Sequence, residues 1–505
     1  MTHALRRRAT GLGLALLLGG LAACSSAPLP QDELTQGGEL PSGTVVDPDT
    51  GQVVDAETGE VVDPVTGEVV EGAGPAAPGE VAAPAGGAAA PGAPAPGGAA
   101  APAPGAPAPG GQVAAPARST LFTAAEDKIG ITDEQITLCA HAALTYGAAF
   151  NTSDADLNVF WSAINDAGGV HGRKVVVTYE NDDYKPTTAV TAARACKAKT
   201  IFLLLGGIGF DQIPAVRNWA EENRMLYLHH TATVKGTKGQ RFSFAPLPSV
   251  ERTGEAFGQL YMSKYKGKKI GIIKRDGENW EPGVEAFKAY LAARGGPKVV
   301  AEAAVPQNKG NYTEDILKMK NAGAEVVWVW ENALGATQIV KQIKAQNYKP
   351  NMMLFPFNLT SQTLDEDSFG PTLDGVAMFT AYSTGDYSGP FAQYADDIKL
   401  FEQQYRKYRP SADIEGVGGD LLFLNWTAQK ALYHQLLECG KDCTRNRFVD
   451  VLEGYDKRPT SSVCPIDFTG GNHRQGSDKL IFMETYRAPG GKANWRNTKM
   501  CVGRD

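Results

Sequence analysis

The chain has little positive charge to spare. Its 505 residues carry 49 Lys and Arg against 56 Asp and Glu, a net charge of -7, and the pI is near 5.7. There is no basic, aromatic-interleaved patch, and this balance argues against nucleic acid as a partner. Long apolar runs are missing too. Residues 11–21 form a short one, too brief to span a bilayer, and no later run is long enough. The sequence lacks G-x-S-x-G, a P-loop and H-E-x-x-H, so the usual signatures of acyl transfer, phosphate cradling and zinc proteolysis are absent. No enzyme and no cofactor is expected. Histidine is scarce, with 7 in all. The suggestive pair His229 and His230 is adjacent on a strand, where neighbours point to opposite faces and cannot easily share a metal. One packed and one near a cleft is the preferred reading. The cysteines around Cys439 and Cys443 lack a second chelating pair, which disfavours zinc, and no metal is expected.

What is present starts with a leader. Arg6, Arg7 and Arg8 precede the apolar run, which ends in Leu21, Ala22, Ala23 and Cys24. This resembles a bacterial lipobox, in which small residues admit the peptidase and the thiol takes the lipid. Residues 1–23 therefore read as a lipoprotein signal peptide and Cys24 as the lipidated residue. An ordinary signal peptide cut at an Ala-x-Ala-like site is the alternative. Six cysteines remain: Cys139, Cys196, Cys439, Cys443, Cys464 and Cys501. An even number in an exported chain implies disulfides, with fifteen connectivities open. Only the Cys439 to Cys443 spacing is short enough to suggest a local loop. Cys196 reads as half a disulfide rather than a nucleophile.

Residues 24–126 read as a linker with two textures. From Val45 an eight-residue unit recurs as VVDPDTGQ, VVDAETGE and VVDPVTGE. Each unit has two apolar residues, so an extended acidic spacer is preferred over a small β-roll. Residues 72–117 are almost wholly Ala, Pro and Gly, which cannot bury enough surface to offset ordering entropy. At ~3.1 Å per residue, a linker of roughly 90 residues would reach on the order of 280 Å. It suits a tether between a membrane and a folded domain.

From Asp127 strands and helices alternate, which predicts an α/β fold with parallel sheets covered on both faces. Residues 164–184, INDAGGVHGRKVVVTYENDDY, carry a helix end, a glycine stop, a β-branched strand and a second turn. The pattern INxAGGVxGRKVxxxxxDD resembles the first crossover of type I periplasmic solute-binding proteins, the branched-chain amino-acid-binding (Leu/Ile/Val-binding-like) family of ABC transporters. RFSFAPLPSVER from Arg241 and SVCPIDFTGGNHR from Ser462 resemble that family's crossings between lobes. The resemblance covers about three quarters of the chain. It implies two doubly wound parallel-sheet lobes joined by three hinge crossings, 127–247 with 381–462 and 248–380 with 463–505.

The resemblance also implies a site. In open α/β sheets ligands lie beyond the carboxyl ends of strands. In lobe one these ends offer Tyr146, then Gly209 and Phe210, then Thr231 and Thr233. Lobe two offers Trp280 as an aromatic lid, Glu331 and Asn332 after a strand, and Phe357 where amino-acid binders carry an acidic residue. The usual Ser-rich loop is here Gly-Ile-Gly-Phe. Thr233 as a helix cap, and Trp280 or Phe210 as core, are the competing readings. The pairings Cys139–Cys196, Cys439–Cys443 and Cys464–Cys501 are expected, the first because some relatives carry a disulfide near the N-terminus. The implied function is a monomeric, lipid-anchored extracytoplasmic binding protein that hands a small solute to an ABC permease. A ligand sensor of the same fold, signalling without transport, is the alternative. Because Phe357 replaces the acidic residue, the ligand is expected to be a neutral or acidic organic solute rather than an aliphatic amino acid.

Overall fold

The computed structural model describes residues 44–46, 53–55, 58, 60, 120–145, 152–207, 211–230, 233–277, 279–307, 309–354, 375–380, 389–412, 414, 417–469, 476–487 and 493–504. The chain divides into two units, Met1–Gly111 and Gln112–Asp505. In the first, the octad repeat folds back on itself. Strand β1 (Thr44–Val46) pairs antiparallel with β2 (Val53–Asp55), placing Val45 opposite Val54 and Val46 opposite Val53. This corrects the expected extended spacer over the first two octads. Each octad offers a β-branched pair followed by Asp, Thr and Gly, which favour a return turn.

In the second unit, packed chain begins before Asp127. Phe122 is buried edge-on to Phe242 at 5.3 Å between ring centroids. Its backbone exchanges two hydrogen bonds with the Asn446 side chain, at 2.9 and 2.8 Å, and Glu126 pairs with Arg224 at 3.0 Å. The linker expected to reach residue 126 thus ends earlier, because an aromatic anchor follows the Ala/Pro/Gly tract.

The first sheet holds β3 (Gln135–Ala142), β4 (Lys174–Asn181), β5 (Leu203–Gly206), β6 (Tyr227–Leu228) and β7 (Ser243–Phe244). All are parallel, in the order β4-β3-β5-β6-β7. The chain steps from β3 out to the edge, then crosses back to β5, so the switch point lies between β3 and β5. The motif at residues 164–184 builds that edge. Gly168 and Gly169 adopt φ of 104° and 74°, and a Cβ on Gly169 would lie 2.1 Å from the Arg173 carbonyl oxygen. Just before them, the Asn165 side chain donates to the Val175 carbonyl and accepts from its N–H, both at 2.8 Å. Arg173 Nη2 donates to the Gly440 carbonyl at 3.0 Å, seating the turn against the end of helix Val417–Cys439.

Both faces of this sheet are covered. Phe160, Trp161, Trp426 and Phe448 lie in one core; Cys139, Cys196, Trp219 and Val216 lie in another.

The second sheet contains β8 (Ile270–Arg275), β9 (Ala301–Val305), β10 (Val326–Trp330), β11 (Asn351–Leu354), β12 (Ala377–Thr380), β15 (Leu480–Arg487) and β16 (Ala493–Val502). Its order is β16-β15-β12-β11-β10-β8-β9. Strands β8 to β12 pair in parallel, and the switch point falls between β8 and β10. The last two strands are antiparallel, so this sheet is mixed rather than purely parallel. A hairpin needs no crossover helix, which lets a short C-terminal tail complete the edge. Between β12 and β15 in sequence, β13 (Asp456–Lys457) and β14 (Ile466–Asp467) form a separate ladder.

Three disulfides join Cys139 to Cys196, Cys439 to Cys443 and Cys464 to Cys501, with Cα–Cα separations of 5.5, 5.1 and 5.3 Å. These are the expected pairings. Among the described residues no helix is long and apolar enough to cross a membrane.

Candidate functional site

The carboxyl ends at the first switch point are braced by buried polar groups. His141 is the penultimate residue of β3, Asp182 follows β4, and Tyr227 opens β6. The Asp182 carboxylate accepts from His141 Nδ1 at 2.8 Å, and His141 Nε2 meets the Tyr227 hydroxyl at 2.7 Å. Burial holds the Tyr227 phenol well above its ordinary pKa, so it keeps its proton against the ring. Gln212 Nε2 adds a bond to Asp182 at 3.0 Å. The order acid, imidazole, hydroxyl resembles a proton relay, but all three side chains are buried and the hydroxyl is committed to the ring. It is a brace. Gly207 passes close beneath it: its N–H donates to the His141 carbonyl at 2.8 Å, and a Cβ would lie 2.7 Å from that oxygen.

One residue before Gln212, Asp211 reaches across to the second sheet. Its Oδ2 accepts from Arg275 Nη2 at 3.1 Å and its Oδ1 from Trp280 Nε1 at 2.8 Å. Arg275, the last residue of β8, also approaches Glu331 Oε1 with Nη1 at 3.4 Å. Glu331 follows β10 and is fully buried. Burial pushes its carboxyl up to about 7, against the opposing pull of the Asn332 N–H and Arg275. Burial also raises the Asp211 carboxyl, opposed by Arg275 and Trp280. An acid from one sheet and an acid from the other thus share one guanidinium. The carboxyl ends of both switch points meet at this clasp.

Around the clasp some buried polar atoms lack partners. Glu331 Oε2, the Tyr312 hydroxyl and Asn332 Nδ2 have no hydrogen bond among the described residues. Tyr312 and Glu331 are neighbours across Gly335, where a Cβ would lie 2.9 Å from the hydroxyl and 2.4 Å from Glu331 Cγ. On the first-sheet side, Arg217 is 3% exposed, yet its Nε and Nη1 find no acceptor among the described residues. Burial lowers its pKa. Its Nη2 lies by Gly236, as does Thr233 Oγ1. Buried donors and acceptors without partners are costly, and a ligand's polar groups would satisfy them.

Several expected site residues are located here with altered roles. Trp280 is 1% exposed, clasped to Asp211, and its carbonyl accepts from Trp330 Nε1 at 2.8 Å, so it is part of the closed joint rather than a free lid. Glu331 is central. Asn332 caps helix Ala333–Ala345 by accepting from the Gly335 N–H at 3.1 Å. Thr233 likewise accepts from the Gly236 N–H at 2.9 Å. Tyr146, Gly209, Phe210, Thr231, Phe357 and Cys24 lie outside the described residues.

Sequence reading missed Asp211, Arg275, Tyr312 and Arg217. Arg275 had a usable signal, since it ends a strand beside the second switch point. The other three are brought in by tertiary packing and had none.

A model of the periplasmic binding protein family matches residues 146–489. A "Leu/Ile/Val-binding protein homolog 3" of Brucella melitensis is 29% identical over 172 residues, covering 33% of this chain and 45% of that protein. The chain thus spans about half the length of the curated relatives it matches. Among solved structures, a fatty acid ABC transporter substrate-binding protein from Thermomonospora curvata superposes with a TM-score of 0.62 at 17% identity, covering 75% of this chain and 94% of that one. An ABC transporter solute-binding protein from Rhodopseudomonas palustris BisB5, in complex with 3,4-dihydroxybenzoic acid, gives 0.60 at 16%, covering 74% and 98%.

Proposed function

Because this chain belongs to the periplasmic binding protein family, we propose that it is the extracytoplasmic substrate-binding lipoprotein of an ABC transporter, taking a small organic solute between two lobes. The lobes are residues 127–247 with 381–462 and 248–380 with 463–505. Cys24 carries the lipid, and residues 72–117 hold the binding domain away from the membrane. The observation that carries the reading is the clasp of Asp211, Arg275 and Glu331, where the carboxyl ends of the two sheets meet around partnerless polar atoms. Solute fills the partnerless positions, the closed form gains stability by its differential affinity, and the permease engages that form.

The solute is neutral or acidic. An aliphatic amino acid brings an ammonium that needs a carboxylate of its own, and Arg275 already draws on the Glu331 carboxyl through Oε1. Displacing the guanidinium would leave a second buried cation to accommodate. A carboxylate, by contrast, suits Arg217 and Thr233. The relatives named for fatty acid and bound to 3,4-dihydroxybenzoic acid take acids without an amino group. The relative named for Leu, Ile and Val points the other way.

The test is to release what copurifies with the chain, identify it by mass spectrometry, and return it to the stripped protein in small-angle scattering. One solute per chain and a smaller radius of gyration are expected. Binding without compaction would remove hinge closure from the account. Loss of cellular uptake of that solute on deleting the gene supports transport; unchanged uptake with altered gene expression supports the sensor instead.

A further inference from the structure

A second space lies against the first sheet, where the ends of β5 and β6 face helix Val417–Cys439. Helix and strand ends both line it, with small residues on each wall among larger ones such as Leu205, Leu228, Leu424 and Leu432. Ala428 and Ala431 face it from the helix, and Gly206 and Gly207 from the strand end. A cavity of about 70 Å³ remains between these walls. A water needs about 10–15 Å³ of such space, so there is room for on the order of five to seven non-hydrogen atoms. His229 and His230 stand at the side nearest the strand ends.

The lining is apolar apart from a few amides, hydroxyls and these imidazoles, and contains no Lys, Arg, Asp or Glu among the described residues. Loss of solvent pushes His230 down to about 4, so it brings no charge near neutral pH. Two lining residues carry unmet demands. Gln429 and Gln435 are 4% and 2% exposed, and the Oε1 of each has no hydrogen bond among the described residues. Gln429 cannot be relieved by turning its amide over. Its Nε2 donates to the Leu157 carbonyl and the Tyr179 hydroxyl, both at 2.8 Å, and the carbonyl can only accept. The space is therefore apolar, uncharged and supplied with one fixed acceptor, Gln429 Oε1, and a second amide at Gln435 that can turn to accept.

We propose that this cavity is a subsite that receives the apolar end of the solute, a ring or short alkyl terminus bearing one neutral hydrogen-bond donor such as a hydroxyl. The assignment rests on the solute-binding reading above and narrows it. A carboxylate is excluded, because carbonyl oxygens repel it; an ammonium is excluded, because no anion neutralises it. The acid group of the solute belongs outside, with Arg217 and Thr233. The occupant is then a hydroxylated aromatic or ω-hydroxylated aliphatic acid.

Phenol and benzene serve as probes of the purified chain, with affinities measured by ligand-observed NMR. Both bind the unaltered protein. Gln435→Leu or Gln429→Leu weakens phenol about tenfold and leaves benzene within twofold, because only phenol donates. Ala431→Leu fills the space and removes both; Ala428→Leu repeats this should the first variant lose its circular dichroism melt. The inference is overturned if neither probe binds, if phenol is indifferent to both glutamine changes, or if both probes survive in a folded leucine variant. The copurified solute separates this from the wider reading. Compaction that persists with unchanged affinity in Ala431→Leu removes the subsite and leaves solute binding standing.

Discussion

At the scale of single residues, Glu331 gives the sharpest expectation. In an unfolded chain its carboxyl ionises near ~4.3, whereas burial raises it to about 7 in the folded protein. Between those values the folded form holds the extra proton. Stability therefore falls as pH rises through this window, by on the order of 3 kcal/mol once Glu331 is ionised. Glu331→Gln should remove that slope while leaving the smaller one from Asp211. Urea unfolding at pH 4.5 and 7.5 compares the two proteins, and parallel losses in both would show that burial does not hold the proton. Arg217 makes the opposite kind of prediction. A buried cation whose Nε and Nη1 find no acceptor among the described residues costs stability, so Arg217→Leu should stabilise the ligand-free chain by roughly 1–3 kcal/mol. The same change should weaken an acidic solute. A destabilised variant would mean that Arg217 is satisfied in solution. Of these residues only Glu331 was legible in the sequence, through its place after an apolar strand. Asp211 and Arg217 each acquire meaning from groups far away in the chain.

Elements were easier to read than sites, for a physical reason. Helix Thr313–Asn321, strand Val326–Trp330 and helix Asp396–Tyr408 are where periodicity puts them, since apolar spacing reports which face is buried. The bounds of strand β9 (Ala301–Val305) are harder to read, because short runs such as KVVAEAAV alternate too weakly to fix a boundary. The C-terminal hairpin and helix Arg445–Glu453 carried no pattern strong enough to place in advance. The motif at residues 164–184 ties a helix to the sheet's edge. Asn165→Ala removes both side-chain bonds to Val175 and should cost on the order of 2 kcal/mol. Amide exchange along β4 should accelerate beyond that on β3. Equal protection in both strands would show that the edge is held without Asn165.

At the scale of the whole molecule, attachment and binding are separable. Cys24→Ala should abolish lipid labelling and leave the chain held at most by its uncleaved leader. A lipid adduct on that variant would place the anchor elsewhere. Solute binding itself turns on which group Glu331 faces when the cleft closes. With Arg275 already paired to Glu331 through Oε1, the ammonium of leucine, isoleucine or valine would have to share one carboxyl with a buried guanidinium. Titration calorimetry of the stripped chain with these three amino acids tests this most directly. The account predicts no heat of binding from any of them. Micromolar affinity for one of them, lost in Glu331→Gln, would contradict it and give the ammonium to Glu331.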